Sequence, residues 1–228
     1  MPVSTSDSRR ADAHDRPPSP TSSRSRLWLD FVNTDAAAQA PNGDRFRDLD
    51  SLLSWLTEQA TLDEERAAGI RRRALLQPAA AAATVVDARR IRGALRLLAE
   101  RGLGSERICE ESVAEINRVL GRSAGTRRLD KLGDGGYVRA FVPTGDAFAG
   151  LMIPIVESAA DTLVIGELSR VRQCANARCY RVFLDTTKNQ QRRWCDMGTC
   201  GNRAKAARHR AKSAARPARK RSRSAERG

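Results

Sequence analysis

The sequence of 228 residues contains no long apolar run. No stretch approaches the roughly 18–20 uncharged apolar residues that a membrane-spanning helix needs, so we expect no transmembrane segment. The first 25 residues are polar, carry charges of both signs and have no apolar centre, unlike a cleavable export signal. We therefore expect a cytoplasmic protein with one substantial domain and a small additional one.

Histidine is scarce, since the chain has only His14 and His209. No combination of serine, histidine and acid, or of cysteine and histidine, is therefore available for nucleophilic catalysis. The glycine-rich stretch 133–136 lacks the spacing of a phosphate-binding loop and is typical of a turn. Five cysteines, four of them between 174 and 200, are too few for a disulfide-rich secreted scaffold. We expect a protein that is not an enzyme.

Acidic residues are nearly missing from the last quarter of the chain. Residues 171–228 contain 17 basic and 3 acidic residues, which accounts for the whole net charge of +14. Residues 1–170 contain 24 of each and are neutral overall. Such an asymmetry favours a polyanion-binding segment attached to an ordinary neutral domain, although a merely solubilising basic tail would have the same composition.

Apolar periodicity predicts a helix-rich domain over residues 26–170, after a disordered tail over 1–25. The apolar run 26–34 opens this domain, and its pattern fits a strand or a helical turn equally well. The remaining predicted elements are helices over 49–56, 61–73 (with Thr61 as N-cap), 83–101 (ended by Gly102 and Gly104) and 105–120, β-strands over 126–132 and 137–142, and a helix over 148–163 that Pro154 kinks or shortens at its start.

Four cysteines follow the spacing C-x4-C, fifteen residues, C-x4-C, and these are Cys174, Cys179, Cys195 and Cys200. Two short turns that each supply two thiolates can complete the tetrahedral coordination of one Zn²⁺. We predict a zinc-stapled hairpin with a strand over 180–184, a turn over 186–191 and a returning strand over 192–194. Four cysteine ligands leave no open coordination position, so the predicted ion is structural. The alternative is a set of reduced, unligated thiols.

A basic helix is predicted directly after Cys200, with Asn202 as its N-cap. It has almost no large apolar residue, so we expect it to contact double-stranded DNA, whose major groove admits a helix. Residues 214–228 are expected to form a basic, disordered tail that adds phosphate contacts. The predicted nucleic-acid contacts are Arg192, Arg193, Asn202, Arg203, Lys205, Arg208, His209, Arg210 and Lys212. Together with the preceding domain this gives an α+β fold class: a helix-rich domain with a β-hairpin, followed by a zinc finger over 171–213 that consists of the small four-cysteine zinc-stapled hairpin and the basic helix.

The stretch from Cys174 to Lys212 resembles the CGNR zinc finger, through residues 183–185 (FLD), 192–195 (RRWC) and 200–205 (CGNRAK). The run 29–34 (LDFVNT) resembles the opening of the ABATE domain, which typically precedes this finger. The resemblance implies a bacterial, stress-induced transcription regulator whose zinc ligands are the same four cysteines. One departure is Asn189-Gln190, where many family members have Asn-Gly, and this leaves the type of that turn open.

Several readings stay open at this point. Cys109 shares a helical face with Val113, Ile116 and Leu120, which favours a buried structural thiol over a sensor. Asp30 and Asn33 are expected to cap a helix rather than line a ligand pocket. The neutral domain is expected to dimerise or to sense a small-molecule effector. Two further functions are a zinc and thiol redox sensor, and an RNA-binding or ribosome-associated protein in which Tyr180, Phe183 and Trp194 stack on bases.

Overall fold

The computed structural model describes residues 26–35, 43–101, 104–122, 124–131, 137–144, 146 and 148–214. The expected tail over 1–25 lies outside this part of the chain, and so does the expected tail over 214–228 except for Ala214, which is the last residue of a helix. The elements are α1 Leu27–Val32, α2 Leu49–Glu58, α3 Glu64–Leu76, α4 Pro78–Arg101, α5 Glu106–Arg122, β1 Gly125–Lys131, β2 Tyr137–Pro143, α6 Ile153–Val164, β3 Val171–Gln173, β4 Val182–Leu184 and α7 Asn202–Ala214.

The apolar run near the start of the described chain is the helix α1, which settles the choice between strand and helix. Trp28, Phe31 and Val32 are completely buried, because α1 lies at the centre of the core between α4 and α6. A helix buried on most sides shows no amphipathic period, which explains why the pattern was ambiguous. The Trp28 indole Nε1 donates a hydrogen bond of 2.9 Å to Thr162 Oγ1 of α6, so its one polar atom is satisfied.

The next two helices begin at aspartates. Asp48 caps α2 by accepting a hydrogen bond of 2.8 Å from the backbone N–H of Ser51. The expectation that Thr61 caps α3 is wrong, because Asp63 accepts from the Arg66 N–H at 2.7 Å and α3 begins at Glu64. The hydroxyl of Thr61 instead donates to the Leu56 carbonyl and closes the end of α2.

The long helix α4 carries the inward face that the sequence predicts, since Ala88, Ile91, Leu95 and Leu98 are buried. Its start is five residues earlier than expected, at Pro78. Proline is well tolerated at the first position of a helix, and the alanines that follow continue it. The helix ends at Arg101, and the proposed terminator Gly102 lies outside the described residues.

The predicted hairpin is present as β1 and β2, paired antiparallel from Gly125 opposite Pro143 to Lys131 opposite Tyr137. The glycine-rich turn expected between them lies outside the described residues. The helix α6 begins at Ile153, so Pro154 stands in its first turn, where its missing N–H costs nothing, and causes no kink. Phe148, Leu151 and Met152 precede the helix but are buried against the core.

The second hairpin differs from the prediction in its strand pairing. Strand β4 pairs antiparallel with β3, with Val171 opposite Leu184, and the expected returning strand over 192–194 is not a strand. The apolar side chains of this hairpin explain the choice of partner. Val171, Val182 and Leu184 belong to the same core cluster as α1 and α4, so the hairpin is packed on the helical domain.

The fold class is confirmed as α+β, with a helix-rich N-terminal region and two small antiparallel hairpins. No helix among the described ranges combines the length and the apolar composition that crossing a membrane requires.

Candidate metal centre and basic helix

The first pair of cysteines lies in the turn of the β3–β4 hairpin. The N–H of Cys174 donates to the Arg181 carbonyl at 2.9 Å and thereby extends the strand pairing by one step. The N–H of Cys179 donates to the Asn176 carbonyl at 2.8 Å, which tightens the turn between the two cysteines. Both sulfur atoms are therefore held by a hairpin whose opposite face is part of the main core.

The second pair flanks the start of a helical segment. Asp196 caps it by accepting hydrogen bonds from the N–H of Thr199 at 2.6 Å and from its hydroxyl at 2.8 Å. A short π-helical turn over Met197–Gly201 follows and contains Cys200. A Cβ atom at Gly201 would lie 3.0 Å from the Met197 sulfur, so the close packing of this turn favours glycine there.

The four cysteine sulfurs lie together as one zinc ion requires. All of them are within 4.8 Å of one another. The Cys195 sulfur is 3.7 Å from that of Cys179 and 3.8 Å from that of Cys200. A regular tetrahedron with Zn–S bonds of about 2.3 Å has S–S edges of about 3.8 Å, so the donor set fits zinc in both chemistry and size. The amide of Asn176 also donates to the Cys200 sulfur at 3.4 Å.

The surroundings of the sulfurs shift their proton affinities in opposite directions. Burial raises the pKa of the Cys195 and Cys179 thiols. Burial acts in the same sense on Cys200, but the hydrogen bond from Asn176 and those from the other cysteines lower its pKa overall. Because zinc binds thiolates, loading this site displaces protons and depends on pH.

The conformation of the chain between the two cysteine pairs depends on Asp185, which the sequence analysis named only within the FLD motif and without a role. This side chain is completely buried. It accepts hydrogen bonds from the N–H of Thr187 at 2.9 Å, from the Thr187 hydroxyl at 2.5 Å and from the N–H of Arg192 at 2.8 Å. Burial by itself would raise the pKa of Asp185, but these hydrogen bonds lower this pKa overall. The Asp185 carboxylate therefore stabilises the turn between Thr187 and Arg192 that leads the chain to Cys195.

Three arginines and two aromatic rings lie beside the cysteine cluster. The Arg192 guanidinium lies 4.8 Å from the centre of the Phe183 ring and donates to the carbonyls of Trp194, at 2.9 Å, and Cys195. The Trp194 ring is half-buried, with the guanidinium groups of Arg193 and Arg208 5.4 and 5.9 Å from its centre. These contacts fix the backbone on the amino-terminal side of the Cys195 ligand.

Comparison with known protein families decides what this arrangement is. Residues 25–166 match the family model ABATE, described as "Putative stress-induced transcription regulator", and residues 170–213 match the CGNR zinc finger. The first match alone covers more than half of the chain. The chain belongs to the ABATE family. No curated protein matches it. The family assignment and the clustered thiols together confirm the prediction of one zinc ion.

In the CGNR finger the basic helix continues directly from the zinc site. Asn202 is not an N-cap as expected, because it has helical backbone angles, while Asp196 caps the segment. The Asn202 amide donates to the Gly198 carbonyl at 2.9 Å. In α7 only Ala204 is half-buried, and the other side chains that the structure describes are exposed. The side chain of Lys212 lies outside the described residues.

The ABATE domain contributes to the finger through a residue that the sequence reasoning misassigned. Asn33 was expected to cap a helix with its side chain or to line a pocket. Its side chain instead bonds to both backbone groups of Val182 in β4. A buried asparagine in an apolar run was the available signal, but its partner is 149 residues away in the chain. Asp30 lies on the exposed side of α1, and Cys109 is half-buried against the core.

Proposed function

We propose that the chain is a zinc-dependent DNA-binding transcription regulator of the cytoplasm and nucleoid. The CGNR finger would contact double-stranded DNA, and the ABATE domain would have a sensory or dimerising role without catalysis. The observation that carries the proposal is α7, which begins at the zinc site and exposes cations on several sides. Its sequence contains no acidic residue, so little in the helix opposes its approach to a polyanion.

The dimensions of α7 suit the major groove. Its 13 residues span about 20 Å at 1.5 Å per residue, and the groove is about 12 Å wide. The metal site anchors the first turn, since Cys200 belongs to the turn that precedes it. Arg192 and Asn202 already make hydrogen bonds no longer than 2.9 Å to carbonyls within the finger, so we do not include them among the contacts. The proposed contact residues are Arg193, Arg203, Lys205, Arg208, His209, Arg210 and Lys212.

The aromatic residues favour duplex DNA over single-stranded RNA as the ligand. Recognition of unpaired bases depends on exposed aromatic faces. Phe183 is buried, and the half-buried Trp194 ring already has two arginines near its face. Tyr180, which is 49% exposed, is the aromatic residue near the zinc site that remains accessible.

Fluorescence anisotropy of the zinc-loaded full-length chain with a labelled duplex tests the proposal. If about six cations neutralise phosphates, the logarithm of affinity should fall with the logarithm of salt concentration at a slope near ~5. The double variant Lys205→Gln/Arg210→Gln should lower that slope by about 2. A matched control is Arg72→Gln/Arg107→Gln, which removes two exposed charges from the ABATE domain and should leave the slope unchanged.

An equal decrease of the salt slope in the two double variants would contradict the proposal. A single-stranded RNA that competes for the protein better than the duplex would also contradict it. Sequence specificity is a separate element of it. A fragment recovered with the protein from the genome should bind more tightly than random duplex at moderate salt, and equal affinity would leave only non-specific binding.

A sensory role for the ABATE domain is supported by a cavity of about 370 Å³. It lies between the end of α4, the start of α5 and β3, and its lining includes Leu98, Ile108, Leu168 and Val171. This volume falls within the range of small-ligand sites. A compound that occupies it should raise the melting temperature of the wild type but not of Ile108→Trp. Sedimentation of the full chain tests the other role, dimerisation.

A further inference from the structure

The strand that follows the first cysteine pair is held by the ABATE domain through a backbone-like interaction. Asn33 Nδ2 donates to the Val182 carbonyl at 2.9 Å, and its Oδ1 accepts from the Val182 N–H at 2.9 Å. The residue is 4% exposed, so water does not compete strongly for these bonds. One amide side chain thus makes the pair of bonds that a neighbouring strand would make.

The position of Val182 explains why this pair is needed. In the β3–β4 hairpin the backbone groups of Arg181 point towards β3, where its carbonyl accepts from Cys174. The backbone N–H and carbonyl of Val182 point away from β3, towards the outer edge of β4, and Val182 is only 1% exposed. Without Asn33 this edge would bury a donor and an acceptor with no strand beside them.

Arg96 of α4 makes a second connection one residue after a zinc ligand. Its Nη1 donates to the carbonyl of Tyr180 at 2.9 Å, and its Nη2 donates to the carbonyl of Val32 at 3.1 Å. It also forms ion pairs with Asp35 and Glu100. The guanidinium therefore ties the residue after Cys179 to the end of α1.

We propose that Asn33 and Arg96 are positioning residues of the zinc centre, through which the ABATE domain controls how firmly the finger retains its metal. Both act on the three residues that follow Cys179, so they restrict the backbone displacement by which this ligand could leave zinc. The coupling is reciprocal, because zinc that holds the turn in place also strengthens the contact with α1 and α4. A change in the packing of these helices thereby alters zinc retention.

The test measures zinc release from the loaded full-length protein into excess chromophoric chelator, and it is independent of DNA binding. Asn33→Leu removes both bonds to Val182 and should speed release by about tenfold or more. Arg96→Lys keeps the charge beside Asp35 and Glu100, but an ammonium cannot span the carbonyls of Tyr180 and Val32 as the guanidinium does. We expect it to speed release as well.

The matched control is Thr162→Val, which removes the buried bond from Trp28 at the other side of α1. It loosens the same helix without touching the finger, so zinc release should stay close to that of the wild type. Hydrogen exchange at the Val182 N–H should accelerate in the Asn33 variant and not in the control.

The free energy of unfolding of Asn33→Leu and of Thr162→Val is measured alongside zinc release, so that a general loss of stability can be recognised. Equal release rates in the two variants at a similar loss of stability would overturn the proposal. So would unchanged exchange at Val182. If Asn33→Leu does not fold, Arg96→Lys decides alone: a release rate like that of the wild type contradicts the positioning role, and a faster one supports it.

Discussion

Replacement of Asp185 by alanine should weaken zinc binding strongly although this residue is not a ligand. The buried carboxylate accepts three hydrogen bonds, and two of the donors are the backbone N–H groups of Thr187 and Arg192. A buried donor without an acceptor costs about 1–3 kcal/mol, so two of them, partly relieved by relaxation, should cost about 3 kcal/mol. Because folding of the connection and zinc binding are coupled, this loss corresponds to a zinc affinity lower by about a hundredfold.

The assay is competition between the full-length protein and a chelator of known affinity at neutral pH. Asp185→Asn keeps one acceptor oxygen and should fall between the wild type and Asp185→Ala. The control is Asp196→Asn, which changes an exposed capping aspartate beside the ligand Cys195 and should have a much smaller effect. An affinity within about fivefold of the wild type for Asp185→Ala would show that the connection does not depend on this carboxylate.

Three further predictions concern the finger. Gln190 has a φ of 50°, a left-handed conformation that costs a non-glycine residue about 1 kcal/mol, so Gln190→Gly should raise the melting temperature slightly, whereas Gln190→Ala should not. Chelation of zinc should abolish the circular dichroism of α7 but leave the fluorescence of the buried Trp28 and Trp55 intact in a Trp194→Phe background, because helices of the ABATE domain supply most of the core around them; complete unfolding would contradict this. Zinc affinity should fall as the pH is lowered from about 8 to about 6, because burial raises the pKa of the Cys179 and Cys195 thiols and protons then compete with the metal. An affinity that does not change with pH over this range would contradict the prediction.

The packing of the finger on the ABATE domain determines how this chain can be divided for experiments. Strand β4 is covered by the ABATE core, and its outer edge is bonded to Asn33. A fragment that begins at residue 171 would expose Val171, Val182 and Leu184 to water. Studies of zinc or DNA binding therefore need the full-length chain.

The four-cysteine cluster, the cationic helix and the helical domain were predictable from the sequence because each depends on local pattern. Two C-x4-C turns place four thiolates in a single short segment, and zinc chemistry requires little else. The inward residues of α4 follow a period of 3.6, which survives any arrangement of the other helices. The concentration of positive charge after residue 171 is a property of composition.

Other features were decided only by the tertiary structure. The apolar triplet of β4 could pair with the chain before Cys174 or with the chain before Cys195, which are separated from it by eight and seven residues. The first was selected because that pairing buries Val171 and Leu184 in the ABATE core. The role of Asn33 was hidden for the same reason: its partner comes near only after the chain has folded, and burial there makes the two unpaired backbone groups of Val182 costly.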